Sequence, residues 1–194
     1  MAAPILHLAS ASPRRREILA TLGLSFTHGG SDVDESRLAD ESVEAMVVRL
    51  ARDKALAATA ELPVLGADTV VVLGDRVFGK PASEADAMDM LAALSGQSHR
   101  VLTGIALSYN GEAWTGMSAT TVRFRDIGPD EARRYWHSGE PAGKAGAYAI
   151  QGLGGVFAES IEGSYSGVVG LPVFETARLL RNVGIEVIGG ITGR

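Results

Sequence analysis

Hydrophobic positions change their period several times along this chain. Ile5 to Ala9 is a short apolar run, broken by Ser10-Ala11-Ser12-Pro13, and reads as a first strand. Arg14 to Gly23 reads as a helix with Ser12 as N-cap, Pro13 at the first helical position and Gly23 as its stop. Leu24 to His28 fits a second strand, and the polar, acidic stretch from Gly29 to Asp40 fits a loop. A long helix is predicted over about Glu41 to Glu61, with Val43, Val47, Leu50, Ala57 and Ala58 on one stripe and Pro63 ending it. Val64 to Leu73 is apolar on both faces, as a strand in the middle of a sheet is. Gly74-Asp75 predicts a hairpin turn into Val77-Phe78, and Ser83 to Leu94 a third helix. Ser98 to Tyr109 and Glu112 to Phe124 read as two long antiparallel strands around Asn110-Gly111. Pro129 to His137 reads as a fourth helix. The glycine-rich stretch from Gly143 to Gly155 leads to a strand near Val156 to Ile161, and a loop from Gly163 to Leu171 leads to a last helix, Val173 to Asn182.

This order mixes βα units with hairpins, so the expected class is α/β, or mixed α+β, with a mixed sheet. At 194 residues, with no repeat or low-complexity tract, the chain suits a single domain, 1–194. Its 46% hydrophobic and 21% charged residues are those of a soluble globular protein, and no apolar run reaches the roughly 20 residues of a membrane helix. Met1 to Ser12 lacks the basic start of a secretory signal, and cysteine is absent, which fits a reducing, cytoplasmic setting. The net charge of −5 argues against a broad nucleic-acid surface but leaves room for a local cationic pocket that takes a small anion.

Several residues sit where a purely structural reading disfavours them. Arg14, Arg15 and Arg16 occupy the first turn of a helix, facing the positive end of its dipole. A bound anion reverses that sign; a solvated basic turn offset by Glu17 is the other reading. Lys54 falls on the inward stripe of the long helix with Val43, Val47 and Leu50, so it either snorkels to the rim or meets an anion. Asp68 lies inside a predicted strand, where a carboxylate is costly unless it is paired or binds metal, and a functional carboxylate is the favoured reading over a structural ion pair. Asp32, Asp34 and Glu35 form an acidic loop that is either merely solvated or, with Asp68, completes an oxygen site for Mg²⁺. Lys80, between Gly79 and Pro81, is a fixed cation on a tight turn or simply a surface lysine. Gln151 either satisfies backbone groups in a bend or offers one acceptor and one donor to a flat ring edge.

Seven segments in collinear order make the chain resemble the Maf family of nucleotide pyrophosphatases, from about residue 6 to 181. They are Leu8-Ala-Ser-Ala-Ser-Pro-Arg-Arg15, Arg49-Leu-Ala-Arg-Asp-Lys-Ala55, Gly66-Ala-Asp-Thr-Val-Val71, Gly79-Lys-Pro81, Leu94-Ser-Gly96, Gly139-Glu-Pro141 through Lys144-Ala-Gly-Ala-Tyr148 to Ile150-Gln-Gly152, and Gly163-Ser-Tyr165 with Val168-Val-Gly-Leu-Pro172. The resemblance implies a fold like that of the inosine triphosphatase superfamily: a mixed twisted sheet flanked by helices, in two lobes around a central cleft. It also implies cleavage between the α- and β-phosphates with a divalent cation, Mg²⁺ or Mn²⁺, as cofactor, and it suggests a homodimer. The Lys144 to Gln151 block is similar to the branch acting on dTTP and UTP, although Ala149 stands where that branch often has Gly and Gly167 where Asn or another polar residue is expected.

The roles expected on that basis are as follows. Ser10, Ser12, Arg14 and Arg15 hold the triphosphate with the helix N-terminus, and Lys54 and Lys80 neutralise charge on the α-phosphoryl oxygens and the departing pyrophosphate. Glu35 and Asp68 bind the metal, Asp68 also activates water, and Thr69 and Gln151 read the base, with Arg14 as a further candidate. The rival readings are a 7-methyl-GTP pyrophosphatase and a nucleotide-binding regulator of cell division without turnover.

Overall fold

A computed structural model of the chain describes residues 3–188. They divide into two compact units: one built from residues up to Asp68, Thr103–Ser118 and Gly170 onward, the other from Thr69–Leu102 and Ala119–Val169. The elements in order are β1 (Leu6–Ala9), α1 (Pro13–Thr21), β2 (Phe26–Gly29), α2 (Val43–Ala57), β3 (Val64–Leu73), β4 (Arg76–Phe78), α3 (Glu84–Leu94), β5 (Ser98–Tyr109), β6 (Glu112–Phe124), α4 (Pro129–His137), β7 (Ala158–Glu162), α5 (Tyr165–Val169) and α6 (Val173–Arg181). The strands form one seven-stranded sheet in the order β2-β1-β3-β5-β6-β7, with β4 beside β3. Parallel pairing of β1 with β2 and β3, and antiparallel pairing of β3–β4 and β6–β7, make the sheet mixed, as expected. Among the described residues no helix is long and apolar enough to cross a membrane.

In the first unit, Leu6, Leu8, Leu65 and Ala67 of the parallel strands pack with Leu19 of α1, Ile105 and Leu107 of β5, and Leu179 and Leu180 of α6. Helix α2 lies directly on β3 and β5. A Cβ at Gly66 would stand 2.2 Å from the Ala51 carbonyl oxygen, and one at Gly104 2.2 Å from that of Val47. Only glycine allows this approach, and it fixes the height of α2 above the strands. In the second unit the core is aromatic: His99, Phe124, Tyr148, Phe157 and Tyr135 meet edge to face at centroid separations of 4.7–5.9 Å.

The two predicted hairpin turns form as read. Asn110 (φ 50°) and Gly111 (φ 82°) both take the left-handed conformation that a two-residue turn between twisted strands requires. Four expectations are corrected. The second helix runs only from Val43 to Ala57, because Ser42 caps it through Ala45 N–H (3.1 Å) and its buried stripe ends at Lys54 and Ala55. Ala57, placed on that stripe from the sequence, is exposed. Ser12 stands at the N-cap of α1, but its side chain makes no capping bond; its own N–H donates to Ser10 Oγ at 3.2 Å. The loop predicted from Gly163 to Leu171 holds the short helix α5, started by Ser164 Oγ accepting from Gly167 N–H at 3.0 Å.

Candidate active site

The first unit holds seven of the ten expected site residues: Ser10, Ser12, Arg14, Arg15, Glu35, Lys54 and Asp68. Strand β3 alternates faces, so Gly66 and Asp68 share the face on which α2 lies. Because Gly66 admits the helix backbone so closely at Ala51 and Ala55, the same turn of α2 brings Lys54 onto Asp68. Both are buried, and Lys54 Nζ donates to Asp68 Oδ1 at 2.7 Å. The same ammonium lies 2.5 Å from Glu35 Oε1, whose side chain is half exposed. A lysine on an apolar stripe and an acid inside a strand thus explain each other, and one cation sits between two carboxylates.

Glu35 belongs to the loop before α2, which is tied down on both sides. Asp34 Oδ1 accepts from Ser36 N–H at 2.9 Å, and this bond holds the Asp34 carboxyl below its ordinary range. Arg49 donates to the Ser36 carbonyl at 3.0 Å and grips both oxygens of Glu41 at 2.7 and 2.9 Å. The sequence reading passed over this Glu41–Arg49 clamp. Its one legible sign was the i,i+4 pair of Arg49 and Asp53, which stands at 3.3 Å.

Ser10 is buried at the end of β1, and its Oγ accepts from Arg15 Nη1 at 3.2 Å. Arg15 also donates from Nη1 to the Ala67 carbonyl at 2.9 Å and from Nε to the Gly170 carbonyl at 2.8 Å. Burial lowers its guanidinium from the ordinary value, Asp68 opposes that, and Arg14 adds to it. Arg15 is therefore first a strut that joins α1 to the β3 edge and to the segment before α6. Arg14 and Ser12 are half-buried beside it.

The remaining candidates lie in the second unit. Thr69, next to Asp68 in sequence, is half-buried, and Lys80 is exposed on the turn after β4. That turn is anchored by Gly79, whose carbonyl accepts from Gly146 N–H at 3.0 Å. Gln151 is exposed at the tip of a bend between two 3₁₀ turns, Ala145–Ala147 and Leu153–Phe157. Tyr135 and Glu140, also passed over in the sequence, flank this bend. The Tyr135 hydroxyl donates to Glu140 Oε1 at 2.6 Å, and Glu140 accepts from the N–H groups of Leu153 and Gly154 at 2.9 Å each. The sign available beforehand was an acid between Gly139 and Pro141, ahead of a glycine-rich run.

Among the described residues no three His, Cys, Asp or Glu side chains cluster as a metal cage. The donor set of Glu35 and Asp68 nevertheless fits a hard divalent cation. Both are carboxylates, and the Lys54 ammonium between them marks a point where positive charge is already held.

A family model described as Maf-like protein matches residues 5–183. The chain is 49% identical over 184 residues to a protein of Methylococcus capsulatus named dTTP/UTP pyrophosphatase, covering 93% of this chain and 91% of the relative. Proteins of the same name from Bordetella pertussis (50% over 196 residues, 95% of each chain) and Saccharophagus degradans (51% over 182 residues, 90% and 87%) are similar to it as well.

Proposed function

Because the chain belongs to the Maf family, we propose that it hydrolyses dTTP and UTP to the nucleoside monophosphate and pyrophosphate. The observation that carries this reading is the buried Lys54–Asp68 pair with Glu35 beside it, in a chain about half identical to proteins of that name. Asp68, with Oδ1 engaged by Lys54, orients a water and takes its proton through the remaining acceptor capacity of the carboxylate. The water oxygen bonds to the α-phosphorus, the bond from that phosphorus to the bridging oxygen breaks, and its electron pair leaves with pyrophosphate. Lys54 and Lys80 offset the charge that grows on the α-phosphoryl oxygens and the leaving group.

Glu35 and Asp68 would hold a Mg²⁺ or Mn²⁺ ion, which when bound neutralises phosphate charge and polarises the attacked centre. Ser10, Ser12, Arg14 and Arg15 bind the polyphosphate. Thr69 and Gln151 read the base: uracil and thymine present an N3–H donor and an O4 acceptor, which one amide meets as a pair, whereas cytosine reverses both. Phosphorus NMR of the products from UTP tests the chemistry: pyrophosphate with UMP is expected, and orthophosphate with UDP would overturn it. A panel containing dTTP, UTP, CTP and 7-methyl-GTP tests the substrate, with equal rates on CTP and UTP defeating the base assignment.

A further inference from the structure

The second unit holds a polar cluster that the proposed chemistry does not use. The residues around Gln151 are held by their backbone amides, and those amides converge on two side chains. Glu140 Oε1 accepts from Gly154 N–H and Oε2 from Leu153 N–H, both at 2.9 Å, while the Tyr135 hydroxyl accepts from Ala149 N–H at 3.0 Å and donates to Glu140 Oε1 at 2.6 Å. Three amides that bracket Gln151 in sequence therefore end on one acid–phenol pair. Gly152 N–H closes the bend itself on the Ala149 carbonyl at 3.1 Å.

The glycines of this bend are shaped around the same pair. A Cβ at Gly152 would lie 2.0 Å from Glu140 Oε2, and one at Gly154 2.5 Å from the Tyr135 hydroxyl oxygen. Partial burial pushes the Glu140 carboxyl up, but the bonds from Tyr135, Gly154 and Leu153, together with Lys144, outweigh it and hold the group below its ordinary range. The carboxylate form, which accepts every one of these bonds, is thus the form present at neutral pH.

We propose that Glu140, with Tyr135, is a positioning residue for base recognition: it fixes the Ala149–Gly154 backbone so that the Gln151 amide faces the substrate base in one orientation. This rests on the reading of Gln151 given above. An amide with freedom to turn over presents its donor and acceptor in either order, so it would accept cytosine as readily as uracil. Specificity for uracil and thymine therefore requires a rigid mount, and the exposed Gln151 side chain takes its mount from the backbone on either side of it.

The test is the ratio of kcat/KM for UTP to that for CTP, which a loss of folded enzyme leaves unchanged because both substrates lose equally. Glu140→Gln replaces one accepting oxygen with a donor and should cut the ratio about tenfold, the scale of one buried hydrogen bond. Gln151→Ala should collapse the ratio, and the Glu140→Gln, Gln151→Ala double variant should fall no lower than Gln151→Ala alone. Tyr135→Phe, a milder change that removes only the hydroxyl, should give an intermediate drop and serves if Glu140→Gln does not fold. An unchanged ratio in both Glu140→Gln and Tyr135→Phe, alongside a collapse in Gln151→Ala, overturns the positioning role and leaves the base reader standing. A further drop in the double variant also overturns it, since Glu140 would then act by another route. An unchanged ratio in Gln151→Ala itself removes the base assignment, and the positioning role with it.

Discussion

The two units bury ionisable groups in opposite ways. In the first, Lys54 is sunk in an apolar helix face with two carboxylates beside its Nζ, at 2.5 and 2.7 Å. In the second, His99 is sunk among Phe124 and Tyr148 with no opposite charge beside it, and burial pushes its pKa down to about 4. Its Nε2 bonds to the Tyr148 hydroxyl at 2.9 Å, whereas its Nδ1 has no partner. A protein interior keeps a charge only where it supplies the countercharge, and otherwise it keeps the neutral form. The first arrangement is costly to build and suits the polyphosphate-facing role proposed for Lys54; the second packs a neutral ring into an aromatic core.

The comparison breaks most sharply at Asp68. Asp68→Asn retains an oxygen that accepts from Lys54, and Lys54 retains Glu35, so the fold is expected to survive with a Tm change below about 4 °C. The variant can no longer take a proton from water, and turnover of UTP should drop about 10²- to 10⁴-fold. Initial rates, with a melting curve on the same sample, decide the matter. A near-normal rate would make the Lys54–Asp68 pair as structural as the His99 cluster.

Gly66→Ala tests how the pair is assembled. The new Cβ would meet the Ala51 carbonyl at 2.2 Å and the Ala55 nitrogen at 2.7 Å, and neither backbone group can step aside without moving α2. The expected cost is about 1–3 kcal/mol of stability, with a fall in kcat as Lys54 is lifted off Asp68. Gly152→Ala in the second unit has an equally short contact, 2.0 Å, but with the Glu140 carboxylate, the end of a flexible side chain. It should destabilise less and show mainly as weakened discrimination between UTP and CTP. Denaturant midpoints for the two variants compare a backbone collision with a side-chain one, and equal losses would remove the distinction.

Most of the elements could be read in advance because they depend on local pattern: Pro13 opens a helix, and Gly74-Asp75 and Asn110-Gly111 bound hairpins. The Lys54–Asp68 pair was also foreshadowed, because each residue violates the pattern of its own element and so asks for a partner. What stayed hidden depends on pairings that no local rule reports. Glu41 stands eight residues before Arg49, beyond the i,i+3 and i,i+4 reach of helical pairing, so helical spacing could not join them. Tyr135 sits in the last turn of a helix that reads as ordinary, and Glu140 lies in a bend where acids are usually solvated; only the folded chain brings the 149–154 amides to them. Arg15 looked like a phosphate ligand, and the structure adds a strut role that its sequence position does not reveal.

The smallest effect separates the two kinds of burial by pH. His99 has a folded pKa near 4 against an ordinary value of 6.5, so the unfolded chain binds the proton first as pH falls. Its contribution to stability is complete above pH 6.5 and is lost progressively between 6.5 and about 4. At pH 5 that loss amounts to about 2 kcal/mol relative to pH 7, at roughly 1.4 kcal/mol per pH unit. His99→Leu removes the titrating ring and should flatten this part of the profile, even though it gives up the bond to Tyr148 and lowers stability at pH 7. The measurement is urea unfolding of both proteins at pH 7 and pH 5. The wild type should lose about 2 kcal/mol more than the variant between the two conditions. Equal losses would mean that His99 is protonated inside the fold, and the aromatic core would then hold a charge without a countercharge, contrary to the contrast with Lys54.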